Sequence, residues 1–181
     1  MSKCVALIIS LSSILVWSCG SLESSQLSGD EKAAVDKTHE FLTWYKSNYH
    51  KILTLTDQLV PGAADSVPDN AYFVDFTHAE TYVDFLDSSG LFSKGYVLDL
   101  YNYLQDCDQR MRLAKQSDGP PLGLEVDPIL KTHEPQDIFE QLETCSIKSV
   151  TVNQQKASVH LVFTEEKSFS LVKINDRWFL E

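Results

Sequence analysis

Residues 146–180, SIKSVTVNQQKASVHLVFTEEKSFSLVKINDRWFL, decide the fold class. Ala157, Val159, Leu161 and Phe163 alternate with polar or smaller residues, and a period of two puts every second side chain on one face of a strand. Short β-rich runs extend from Ser146 to Val152, Ala157 to Thr164, Ser168 to Ile174 and Trp178 to Leu180. Asn153-Gln154-Gln155, Glu165-Glu166 and Asn175-Asp176 lie between them, with the spacing and residue types of tight turns. The reading is a four-stranded antiparallel meander that begins near Ser146.

Upstream of it the pattern is helical. Ala34, Thr38, Phe41, Leu42, Tyr45, Tyr49 and Ile52 recur at three- and four-residue steps, which places them on one helix face. A loop with Pro61-Gly62 and Pro68-Asp69-Asn70 follows. Thr77 and Glu80 have capping-box spacing ahead of Tyr82, Phe85 and Leu86, and Gly90 can end that helix in a left-handed turn. Ser93 can cap a third helix with a stripe from Tyr96 and Val97 through Leu100, Leu104 and Cys107 to Met111. Asp118-Gly119-Pro120-Pro121 ends all helical pattern. Helices are therefore expected around residues 31–54, 77–89 and 93–114. Helices first and strands last make one α+β domain over residues 30–181.

Ahead of the domain, Met1-Ser2-Lys3 precedes an apolar run from Cys4 to Trp17. As a helix its fourteen residues span about 21 Å, short of the roughly 30 Å hydrocarbon core of a bilayer. A positive charge in front and small residues behind make residues 1–18 a cleavable signal peptide. Val16, Ser18 and Cys19 resemble a lipobox, in which an aliphatic, a variable and a small residue precede an obligatory cysteine; Trp17 is bulkier than is usual at its place. The thiol is obligatory because the diacylglycerol is attached to sulfur as a thioether. Cys19 is thus the expected mature N-terminus, acylated and held at a membrane, with residues 19–29 as a Ser- and Gly-rich tether. Gly20, rather than Asp, after the cysteine points to the outer membrane of a bacterial envelope.

The 181 residues carry a net charge of −11 and 43% apolar residues. That composition supports a real core. It excludes nucleic acid, whose binding needs clustered Lys and Arg to displace counterions, and charge-driven binding of anionic lipid headgroups. His39, His50, His78, His133 and His160 are scattered, and no Cys or carboxylate cluster completes a metal set. Asp106-Cys107-Asp108 and Asp118-Gly119 lack calcium-loop spacing. No nucleophile elbow, Walker loop or dinucleotide fingerprint occurs, so no catalytic residue, metal or cofactor is assigned. His160 alternates with the apolar face of its strand, on the sheet surface or in a pocket. Beyond Cys4 in the signal and the acylated Cys19, only Cys107 and Cys145 remain. In an oxidising compartment they are a candidate disulfide stapling helix to sheet; two separately buried thiols are the alternative.

Phe41-Leu42-Thr43-Trp44-Tyr45, Ser89-Gly90-Leu91-Phe92-Ser93, the segment from Asp118 to Asp127 (DGPPLGLEVD) and Ile174-Asn175-Asp176-Arg177-Trp178 together resemble a bacterial lipoprotein family, domain of unknown function 3828. The layout is similar to the nuclear-transport-factor-2-like fold, with N-terminal helices packed into a curved antiparallel sheet. The resemblance implies a fold and an anchor and no established chemistry. It also implies a conical cavity between helices and sheet, for which Tyr45, Tyr82 and Tyr101, with Phe85 and Phe163, are the candidate walls, and Asp75 or Asp99 neighbouring acids. Three functions are open at this point. The first is a non-catalytic module binding another envelope protein or a small ligand. The second is an enzyme using the cavity, and the third a toxin-neutralising or structural envelope protein.

Overall fold

A computed structural model describes residues 27–63 and 71–181. The signal segment, Cys19, most of the tether and the Pro68-Asp69-Asn70 loop lie outside the described residues. Four helices, α1 (Gly29–Asp57), α2 (Phe76–Ser88), α3 (Lys94–Ala114) and α4 (Pro135–Glu140), precede four strands, β1 (Ser146–Asn153), β2 (Lys156–Val162), β3 (Glu166–Ile174) and β4 (Arg177–Leu180). The strands form one open antiparallel sheet in sequence order. Among the described residues no helix is long and apolar enough to cross a membrane.

The strand alternation folds as expected. Ala157, Val159 and Leu161 of β2 are buried, and they pair across to Leu171, Phe169 and Lys167 of β3. The β3–β4 hairpin turns through Asn175 and Asp176, both at positive φ (49° and 59°). A two-residue turn of this kind matches the twist of its strands. β3 starts two residues earlier than expected, because Glu166 pairs with Val162 and Lys167 with Leu161, leaving residues 163–165 as the turn.

Helix α1 starts at Gly29, and its first-turn amides are satisfied by a capping box the sequence reading passed over. Glu31 N donates to Ser28 Oγ (3.4 Å) and Ser28 N to Glu31 Oε2 (2.8 Å). Ser28 thus belongs to the helix cap, not to a loose tether. The Thr77–Glu80 box is likewise corrected: Asp75 is the cap, accepting from the Thr77 and His78 amides (2.9 and 3.4 Å). A carboxylate two residues earlier takes the place of the threonine because the helix begins at Phe76. Ser93 caps α3 as expected, and Gly90 takes a positive φ of 67° after α2.

One core joins helices and sheet. Phe41 of α1 sits at its centre, with ring centroids 5.6 Å from Tyr45, 5.5 Å from Phe92 and 6.1 Å from Phe169. The α2–α3 link is strapped to the sheet edge, since Leu180 N donates to Leu91 O and Ser93 N to Leu180 O (both 2.9 Å). The unexpected element is α4. Pro135 at its first turn and buried Ile138 and Phe139 form it, and Lys46 Nζ of α1 donates to Phe139 O (2.9 Å).

Candidate functional site

The segment between α3 and α4 has no helix or strand up to Pro135, yet it is fixed at two points. On the α3 side Gly123 adopts φ 87°, and a Cβ there would meet Cys107 Sγ at 2.6 Å and Arg110 Nη2 at 3.1 Å. Only glycine fits both the conformation and the space. Tyr103 Oη donates to the Gly123 carbonyl from the same helix. On the α1 side, Tyr45 Oη donates to Asp127 Oδ2 (2.7 Å), while Asp127 Oδ1 accepts from the Ile129 and Leu130 amides (2.9 and 2.6 Å). Burial, reinforced by the neighbouring Tyr82 and Asp127, pushes the Tyr45 hydroxyl far above the ordinary phenol value, so it is a donor at every physiological pH.

Pinned in this way, the segment and the C-terminal half of α1 enclose a groove of about 470 Å³. Its floor is apolar, from Ile52, Leu59 and Val60, with Leu53 42% exposed at the edge. Pro121, Pro128 and Pro135 stiffen the opposite wall. Asp57, Glu125 and Asp127 contribute three carboxylates, His133 one imidazole, and no Lys or Arg is among the described lining residues. The Glu125 carboxyl is held below the usual range by the Gly123 amide and its own, so it is ionised at neutral pH. Asp57 ends α1, whose last turn has no basic residue. A helix C-terminus carries partial negative charge, so an acid there costs about 0.3–1 kcal/mol.

A second hollow of about 470 Å³ shares Val126, Thr132 and His133 with the first. Glu134, Asp137 and Glu165 line it, offset by Lys131 and Lys167.

A third cluster lies on the outer sheet face. Ser158 Oγ is 3.1 Å from His160 Nε2, and His160 Nδ1 is 3.1 Å from Glu166 Oε1. A hydroxyl, an imidazole and a carboxylate in line resemble a nucleophilic relay. Here Glu166 is also paired with Lys148, Ser158 lies 3.3 Å from Ser168 Oγ, and neither hollow is lined by Ser158, His160 or Glu166. The cluster is a self-satisfied polar surface, without the enclosure and oxyanion donors that acyl transfer needs.

The tyrosines expected to wall a conical cavity lie outside the two hollows described. Tyr45 and Tyr82 are fully buried core, Tyr101 packs against Phe76 (6.0 Å), and none of the three lines either hollow. Phe85 lines neither, and Phe163 lines the second hollow alone. Asp75 is a helix cap and Asp99 an exposed α3 residue. Cys107 and Cys145, the candidate disulfide pair, stand as free thiols. Cys107 Sγ faces Gly123 and Arg110, whereas Cys145 Sγ donates to Leu142 O (3.4 Å). Burial raises both thiols above their ordinary value, which lowers the share of reactive thiolate at neutral pH. The groove acids Asp57, Glu125 and Asp127 were missed. The signal that could have found two of them was the Asp118–Asp127 segment itself, an ordered-looking Pro/Gly stretch whose acids must end on some surface. Compared with known proteins, the chain matches no family model, no curated protein and no solved structure.

Proposed function

We propose that this chain is a lipid-anchored protein of the bacterial envelope whose domain is a non-catalytic binding module, with the groove at the end of α1 as its ligand surface. Cys19 is its anchor, and the domain is of the nuclear-transport-factor-2-like kind found in the family of unknown function 3828. The Val16–Cys19 pattern supports the anchor, and the order of helices and sheet supports the family.

The groove carries the functional reading. It is preformed, with an apolar floor and a few fixed polar groups, which is the makeup of a binding site. Asp127 is taken up by structural hydrogen bonds, so the polar groups the groove offers a ligand are Asp57, Glu125 and His133, set among apolar side chains. Two or three acyl chains on one cysteine give firm membrane attachment where a single chain gives little.

Fractionation and crosslinking test the two halves. Cys19→Ser is expected to move the protein from the membrane to the soluble fraction or leave unprocessed precursor; an unmodified N-terminus elsewhere in the wild type overturns the anchor. A photo-crosslinking residue at Leu53 in the anchored protein is expected to yield a discrete adduct that Thr56→Trp abolishes by filling the groove. No adduct, or one indifferent to that substitution, overturns the module.

A further inference from the structure

We infer that the groove receives a basic peptide segment, in which lysine or arginine side chains flank an apolar one. The inference rests on the groove being the binding surface of the module.

Charge distribution points to this occupant. The two hollows are of one size and share a wall, yet among the described lining residues the first has three carboxylates and no Lys or Arg, whereas the second has two lysines beside its acids. Asp57 adds its charge where the α1 carbonyls already concentrate negative potential, and the last turn of α1 holds no base. A local arrangement that costs stability without structural compensation marks a surface kept for something else. The position suits a cation: Asp57 and Glu125 are exposed lining residues, and exposed Leu53 with half-buried Ala63, Leu124 and Val126 offers an apolar surface in the same groove. The fixed proline wall keeps the groove open before binding, which lowers the ordering cost of association.

Other occupants have the wrong sign. Residues 64–70 (ADSVPDN) contribute two Asp and no base, and residues 19–29 contribute Glu23 alone. A second copy of this chain, at −11, brings like charge. An anionic small molecule would meet three carboxylates. A peptide cation gains from all three features together, by attraction at the rim, burial on the floor and steering at a distance.

NMR titration of the folded domain tests the inference, with three synthetic peptides of equal length. One alternates lysine and leucine, one glutamate and leucine, one serine and leucine. The lysine peptide is expected to shift resonances of Leu53, Asp57, Glu125 and His133. Its affinity should fall roughly threefold to tenfold in the Asp57→Asn/Glu125→Gln double variant. It should also weaken as salt rises from about 0.05 to about 0.5 M. Asp36→Asn/Asp84→Asn changes net charge equally at exposed helix positions outside the groove, and should leave affinity within about twofold, as expected when distant charges are screened. Equal loss in both double variants would show attraction to overall charge only and overturn the inference. So would serine or glutamate peptides binding as tightly, or shifts confined to the outer sheet face. If those results come while the Leu53 adduct persists, the module reading stands and the basic-peptide inference alone falls; if the adduct is also absent, both fall.

Discussion

The two hollows beside residues 126–134 differ in what surrounds them, not in size. Each encloses about 470 Å³, and Val126, Thr132 and His133 line both. One is built on α1 and the proline-rich wall, apolar below and acidic above. The other lies between α4 and the β2–β3 turn, where Lys131 and Lys167 offset the acids. Volume therefore ranks neither. What separates them is that two lysines line the second and none is among the described lining residues of the first.

The largest test of that contrast is Phe139→Ala. Phe139 packs 5.2 Å from Tyr49 and 6.2 Å from Tyr45, and large-to-small changes of this kind cost about 3–5 kcal/mol. Chemical denaturation should show that loss. It should also release α4, which would disturb the second hollow more than the floor of the first.

Two tyrosines sharpen the account of the shared wall. Tyr45→Phe removes a donor from the Asp127 carboxylate, a hydrogen bond to a charged group worth about 1.5–3 kcal/mol. The Tyr82 hydroxyl is buried without a partner, so Tyr82→Phe should leave stability unchanged or raise it by up to about 1 kcal/mol, since an unsatisfied group is removed. Equal losses in the two would mean that the Asp127 anchor does not hold the wall.

Asp57→Asn acts on the acidic groove directly. Removing a negative charge from a helix C-terminus should stabilise by about 0.3–1 kcal/mol, while binding at the groove weakens. A residue of purely structural value would lose both together, so thermal melting and titration of one variant distinguish the cases.

Acid titration gives the smallest effect. Glu31, Glu125 and Glu166 are all held below the ordinary value of 4.5, the first two chiefly by backbone amides and the third by Lys148 and His160. Carboxyls of lowered pKa contribute in full above the ordinary value and lose their contribution as pH falls through the lowered one. The melting temperature should therefore stay level from neutrality to about 4.5 and decline below it. Glu125→Gln should make that decline slightly shallower.

The strands and the first three helices were legible in the sequence because their information is local. A period of two in Ala157–Phe163 and three- to four-residue steps from Ala34 to Ile52 are written in neighbouring residues, as is the Ser93 cap. Element ends were less so, since Asp75 and Thr77 could each cap α2 and only the helix start decides which does. Helix α4 is too short for periodicity to show. Of the site, only the Asp118–Asp127 segment was legible. Asp57 is 68 residues from Glu125 in the chain, and their meeting depends on Gly123 fitting against Cys107 and Asp127 reaching Tyr45. The sequence by itself determined the class of fold, the acidic character and the pattern at Cys19, because composition and short-range spacing carry them. Only the tertiary structure decided that Tyr45 and Tyr82 are core, that the two thiols have different partners and that the acids line one groove, because long-range packing, not local pattern, selects which side chains share a surface.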